Sequence, residues 1–125
     1  MKTPQVLIVD DEPNIVMSLE FLMRKNGFQV GIARNGTEAL AAIGHTPFDL
    51  VLLDVMMPDV DGLQVCHQLR QRPDRAHTKV IFLSAKSRET DMQKGYEAGA
   101  DLYISKPFST RQLMDKVREL LGVVA

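Results

Sequence analysis

The chain has a single cysteine, Cys66, and no tryptophan. One thiol cannot form an internal disulfide, so nothing covalent staples the fold, and this usage suits a reducing, cytoplasmic setting. Surplus charge is missing too: Lys and Arg number 15, Asp and Glu 16, for a formal net charge of −1. Non-specific affinity for nucleic acid needs a basic surplus, so direct binding of a polyanion is not expected. No apolar run approaches the roughly 20 residues of a membrane-spanning helix. The opening "MKTPQVLIVDDE" carries a short apolar run that stops at acids, unlike a secretory signal. There is no G-x-G-x-x-G and no P-loop, which counts against nucleotide binding. No repeat or low-complexity linker interrupts the chain.

What is present is a chain of 125 residues, 45% apolar and 25% charged, the size and balance of one compact domain with a sufficient core. Met1 fits a natural N-terminus, and one domain over residues 1–125 is expected. Five apolar segments recur at Val6–Val9, Gln29–Ala33, Leu50–Leu53, Val80–Leu83 and Leu102–Ile104. Several are continuous rather than alternating, as strands covered on both faces should be. The stretches between them carry helical periodicity. Pro13 opens a helix whose apolar face holds Ile15, Leu19, Leu22 and Met23, with Gly27 placed to end it. Further helices are expected over Thr37–Ile43, over Leu63–Arg70 with Asp61 as N-cap, and over Glu89–Ala98 with Ser87 as cap. A last one follows the capping-box pattern Ser109–Gln112, with Leu113, Val117, Leu120 and Leu121 as its stripe. Strand and helix thus alternate five times, which predicts an α/β fold: a parallel five-stranded sheet with helices on both faces. The Glu89–Ala98 helix has the sparsest apolar face, offering chiefly Met92, Ala98 and Tyr96.

Ligands of parallel α/β sheets bind outside the carboxyl ends of the strands. Four of the five predicted strands deliver a polar group there: Asp10-Asp11-Glu12, Asp54, Ser84 and Ser105-Lys106-Pro107. Taken alone, each has a bland reading as a cap, a solvated loop residue or surface charge. Their joint placement does not. Asp10, Asp11 and Asp54 would crowd negative charge, and like charges raise one another's pKa unless compensated. A divalent cation compensates, and oxygen donors suit Mg²⁺. Lys106 adds a positive charge on a flexible stem, and Ser84 a hydroxyl. Such a set is built to stabilise a phosphoryl group arriving at a carboxylate. His45, His67 and His77 follow no strand and read as surface residues, and Cys66 as a packed helix residue.

The stretches "VLIVDDEP", "ARNGTEAL", "FDLVLLDVMMPDVDG", "VIFLSA" and "EAGADLYISKPF", in this order and spacing, resemble the receiver domain of two-component response regulators from end to end. The resemblance implies a flavodoxin-like doubly wound sheet of strand order 2-1-3-4-5. It implies that Asp54 is the phosphoacceptor. It implies that Asp10, Asp11, Asp54 and the backbone carbonyl of Met56 hold Mg²⁺, with Mn²⁺ as a substitute. Ser84 and Lys106 would bind phosphoryl oxygens, Tyr103 would be the switch aromatic, and the Lys106–Pro107 peptide would be cis. The implied partners are a histidine kinase or histidine phosphotransfer protein upstream and an output protein downstream, with no membrane and no direct nucleic-acid contact. The chain would act as a monomer or as a homodimer formed on activation, and would be a regulatory phosphoacceptor rather than an enzyme with its own substrate. Phosphorylation would shift the surface of helix 4, strand 5 and helix 5. Two rivals remain open: a phosphorylation-independent binding module on the same fold, and a Mg²⁺-dependent phosphatase with Asp10 as nucleophile and Glu12 as its acid partner.

Overall fold

In the computed structural model, which describes residues 3–123, five strands and five α-helices alternate. The ends of the expected 1–125 domain, residues 1–2 and 124–125, lie outside the described residues. The elements are β1 (Gln5–Val9), α1 (Pro13–Lys25), β2 (Gln29–Ala33), α2 (Gly36–His45), β3 (Leu50–Leu53), α3 (Gly62–Arg70), β4 (Lys79–Ser84), α4 (Glu89–Glu97), β5 (Leu102–Ser105) and α5 (Thr110–Leu121). A 3₁₀ turn, Pro73–Arg75, precedes β4. The strands form one parallel sheet of order β2-β1-β3-β4-β5.

Alternate residues of each strand feed two separate cores. Leu7, Val9, Val51, Leu53, Val80 and Phe82 pack beneath α2 and α3 with Ala39, Ile43, Val65, Cys66 and Leu69. Val6, Ile8, Leu50, Leu52, Ile81 and Leu83 pack beneath α1 and α5 with Val16, Leu19, Met23, Leu113, Met114 and Val117. Both faces are therefore dry, which is why the strands read as continuous apolar runs. The chain winds from β1 outward to β2, then back past β1 to β3. This reversal opens a crevice between the carboxyl ends of β1 and β3. The register pairs Val9 with Leu53, Leu53 with Phe82, and Ser84 with Ser105. Whatever follows those residues is carried to one edge.

The helix ends show where local chemistry won. α2 begins at Gly36 and runs to His45, longer than the expected Thr37–Ile43. Asn35 caps it by accepting the Glu38 N–H at 2.8 Å. Asp61 and Gln64 form a reciprocal capping box on α3. α4 is capped one residue later than expected. Arg88, not Ser87, is the N-cap, because the Asp91 carboxylate accepts the Arg88 N–H at 3.3 Å. The Ser109 hydroxyl accepts from the Gln112 N–H at 3.3 Å, one arm of the box expected at α5. The sparse packing expected of α4 is found: Gly95 is its sole buried residue. A Cβ at Gly95 would meet the Tyr103 ring at 2.7 Å, so the glycine lets α4 lie directly on that ring.

Candidate functional site

Asp10 and Asp54 sit side by side at the crevice. The Asp10 N–H donates to the Ala33 carbonyl at 3.2 Å and the Asp54 N–H to the Val9 carbonyl at 3.0 Å, so each continues the sheet ladder one residue past its strand. Both are buried, at 2% and 6% exposure. Two carboxylates held this way by rigid backbone cannot swing apart. Carboxylate oxygens of Asp10, Glu12 and Asp54 lie within 4.8 Å of one another. Glu12 joins because the turn after β1 is tight: its N–H donates to Asp10 Oδ1 at 2.9 Å. Asp11, expected beside Asp10, is exposed and outside this set. It lines the adjoining shallow cleft with Met56, Pro58 and Lys86. Met56 is 57% exposed there, and its N–H donates to Asp54 Oδ1 at 3.3 Å.

Lys106 reaches in from the end of β5, past a cis Lys106–Pro107 peptide. Its Nζ lies 2.9 Å from Asp10, 3.4 Å from Asp54 and 3.8 Å from Glu12. One ammonium thus serves three carboxylates. Burial pushes the Asp54 carboxyl above the usual carboxylate range; Lys106 opposes this and Asp10 adds to it. Burial works to lower the Lys106 ammonium, but its bond to Asp10 and the charges of Asp54, Asp10 and Glu12 outweigh that and raise it. The pocket is therefore under-neutralised. An all-oxygen donor set with excess negative charge fits a hard divalent cation, and these residues could hold one.

Ser84 is fully buried at the end of β4, and its Oγ accepts the Lys86 N–H at 3.2 Å. Tyr103 lies inward on β5, 4% exposed, its ring 5.8 Å from that of Phe82. Its hydroxyl donates to the Lys86 carbonyl at 2.6 Å. Burial raises the phenol above its usual range, and the Ser84 side chain opposes this. The loop after β4 is thus held from both sides, by Ser84 and by Tyr103. His45, His67 and His77 are exposed, and none joins the Asp10–Glu12–Asp54 group.

Five of the expected side chains, Asp10, Asp54, Ser84, Tyr103 and Lys106, therefore converge on one edge of the sheet. Glu12 was legible as the third acid of "DDE", but spacing alone did not say that its exposed side chain brings a carboxylate oxygen beside those of Asp10 and Asp54.

The family model for the response regulator receiver domain matches residues 6–118. The chain is 41% identical over 117 residues to the transcriptional regulatory protein ResD of Bacillus subtilis, covering 94% of this chain and 48% of ResD. It is 42% identical over 116 residues to the sensory transduction protein RegX3 of Mycobacterium tuberculosis, covering 93% of this chain and 50% of RegX3. It spans about half the length of these relatives. Among solved structures, the BeF₃-activated receiver domain of DrrB superposes with a TM-score of 0.89 at 31% identity, covering 97% of this chain and 99% of that one. No helix among the described residues is long and apolar enough to cross a membrane. The chain belongs to the receiver-domain family of two-component response regulators.

Proposed function

We propose that this chain is a phosphorylation-activated signalling switch whose acceptor is Asp54. One observation carries the reading: a buried, rigidly held carboxylate at the sheet's switch point shares a single lysine with two other acids. An Asp54 oxygen attacks the phosphorus of a phosphohistidine on a kinase or phosphotransfer partner. A P–O bond forms, the P–N bond breaks, and the leaving imidazole nitrogen takes a proton from solvent. Asp10, Glu12 and Asp54, with Asp11 at the cleft and the Met56 carbonyl, would hold Mg²⁺, which when bound neutralises charge on the transferring group. Lys106 turns from its carboxylate partners toward one phosphoryl oxygen. The Ser84 hydroxyl donates to another, giving up its bond from the Lys86 N–H.

That exchange moves the loop after β4, and Tyr103, bonded to the same Lys86, registers it. The thinly packed α4 then shifts relative to β5 and α5, and an output partner that prefers one arrangement reads the state. The chain on this reading is one regulatory domain acting in the cytoplasm, as a monomer or as a homodimer formed on activation. Its only chemistry is on itself.

Intact-mass spectrometry after incubation with acetyl phosphate, with and without Mg²⁺, tests the reading on the wild type and Asp54→Asn. A Mg²⁺-dependent gain of one phosphoryl mass, absent from the variant, is expected. A folded wild type that gains none is a binding module instead. A gain that persists in Asp54→Asn places the acceptor elsewhere, with Asp10 the first to test.

A further inference from the structure

The loop from Met56 to Asp61 leads from the end of β3 into α3, and its residues line, with Asp11, the cleft that adjoins the carboxylates. Its base is closed by the Gly62 N–H donating to the Val55 carbonyl at 2.9 Å. Apart from the Asp61–Gln64 capping box on α3, which the loop leads into, the described residues give the loop one polar tie to another element, made by Asp59. Asp59 Oδ2 accepts the Thr37 hydroxyl at 2.5 Å, and Oδ1 accepts the Gly36 N–H at 3.3 Å and the Val60 N–H. Gly36 and Thr37 are the first residues of α2, so the carboxylate meets the positive end of that helix.

Two further observations show that the arrangement is specified. Asp59 adopts φ 64°, a left-handed backbone that few residues other than glycine, asparagine and aspartate accept. The two backbones also touch: a Cβ at Gly36 would stand 2.0 Å from the Val60 carbonyl oxygen. The loop is seated on α2, with Asp59 as its fastening.

From this geometry we infer that Asp59 is a positioning residue for the cation site, acting through the loop that carries the Met56 carbonyl. The inference rests on the proposed Mg²⁺ site, in which Met56 supplies a backbone oxygen. Met56 itself is exposed, so its own side chain does little to fix that oxygen. The fastening three residues on does it instead. Outer groups that orient ligands ordinarily cost about 10- to 100-fold in metal affinity when lost. A tie acting at loop distance belongs at the lower end.

Mg²⁺ titration calorimetry on the full chain, without phosphodonor, tests this. Asp59→Ala is expected to weaken binding on the order of tenfold. Asp59→Gly keeps the left-handed backbone and removes the carboxylate, and it should weaken binding equally. Asp59→Asn keeps the backbone and one acceptor oxygen for the Gly36 and Val60 N–H groups, while its amide nitrogen donates to the Thr37 hydroxyl oxygen in place of the lost acceptor, and it should stay within about twofold of wild type. Thr37→Val should weaken binding less, with little added effect on top of Asp59→Ala. Amide exchange across Met56–Val60 in metal-free protein should quicken in the alanine and glycine variants and not in Asp59→Asn. Wild-type affinity in both Asp59→Ala and Asp59→Gly overturns the positioning role and leaves the site standing. A wild type that takes no Mg²⁺ overturns the site, and the role with it.

Discussion

Cys66 lies on the inner face of α3, fully buried among Val65, Leu69 and Val80. Burial, with the Arg70 charge opposing and the Asp101 charge adding, pushes its thiol from 9.0 up to about 11. The folded chain therefore holds this proton more tightly than the unfolded chain does. Its contribution to stability is full below pH 9 and is lost as pH rises toward 11. Two pKa units correspond to about 2–3 kcal/mol. Cys66→Ala removes that dependence for a small cavity cost of about 1 kcal/mol. Urea unfolding of both proteins at pH 8 and pH 10.5 checks this: the wild type should lose its advantage at the higher pH. Parallel behaviour would mean that the thiolate finds stabilisation the packing does not suggest. The same burial keeps Cys66 out of the site's chemistry, since the thiolate is the reactive form.

The helices are fastened unequally, and α4 shows it. Its C-terminal end is moored by Arg70 of α3, which donates Nε to the Gly99 carbonyl at 2.8 Å, Nη1 to the Thr78 carbonyl at 2.6 Å and Nη2 to Asp101 at 2.8 Å. Asp101 in turn accepts the Val80 N–H at 2.8 Å. The N-terminal end has the local Arg88–Asp91 bond and no buried side chain. On the proposed switch, movement of α4 would be a pivot about its C-terminal mooring. Arg70→Met keeps the apolar stem and removes the donors, and should cost about 2–3 kcal/mol. Amide exchange should quicken most at Ala98–Asp101, the segment released, and less at Glu89–Met92, which is loose already. Uniform quickening along α4 would show that its packing, not Arg70, holds it. The sequence made the strands legible because burial on both faces leaves no polar residue in Val6–Val9 of β1, in β3 or in the centre of β4. It made Asp10, Asp54 and Lys106 legible because each is the first charged residue past such a run. It did not reveal the reach of Arg70, the left-handed turn at Asp59 or the approach of the Glu12 carboxylate to Asp10 and Asp54. Those depend on which backbone groups the tertiary fold brings within side-chain range. The cap of α4 slipped by one residue because Ser87 and Asp91 offer competing local bonds, and the carboxylate prevailed.

A formal charge of −1 over the whole chain conceals a steep local imbalance, three carboxylates to one lysine at the end of the sheet. The fold holds them together because the strands beneath are dry and rigid, so the repulsion is stored rather than relaxed. Burial raises the Asp54 pKa, and Lys106 offsets it only in part. An acid raised on folding favours the folded state most below its ordinary value of 3.8, and that advantage is lost as pH climbs through the raised one. At neutral pH without a cation, ionised Asp54 is therefore a net burden. Asp54→Asn keeps the shape and removes the charge, and it should stabilise metal-free protein by on the order of 1 kcal/mol, a rise of a few degrees in Tm. Saturating Mg²⁺, at about 100 times its Kd, should raise the wild type by about 2.7 kcal/mol. It should raise the variant far less, because one of its charged ligands is gone. Scanning calorimetry of both proteins, with and without Mg²⁺, measures the four values. Should metal-free Asp54→Asn melt below the wild type, the Lys106 pairing outweighs the repulsion, and the acidic cluster is a stabilising network rather than a loaded site.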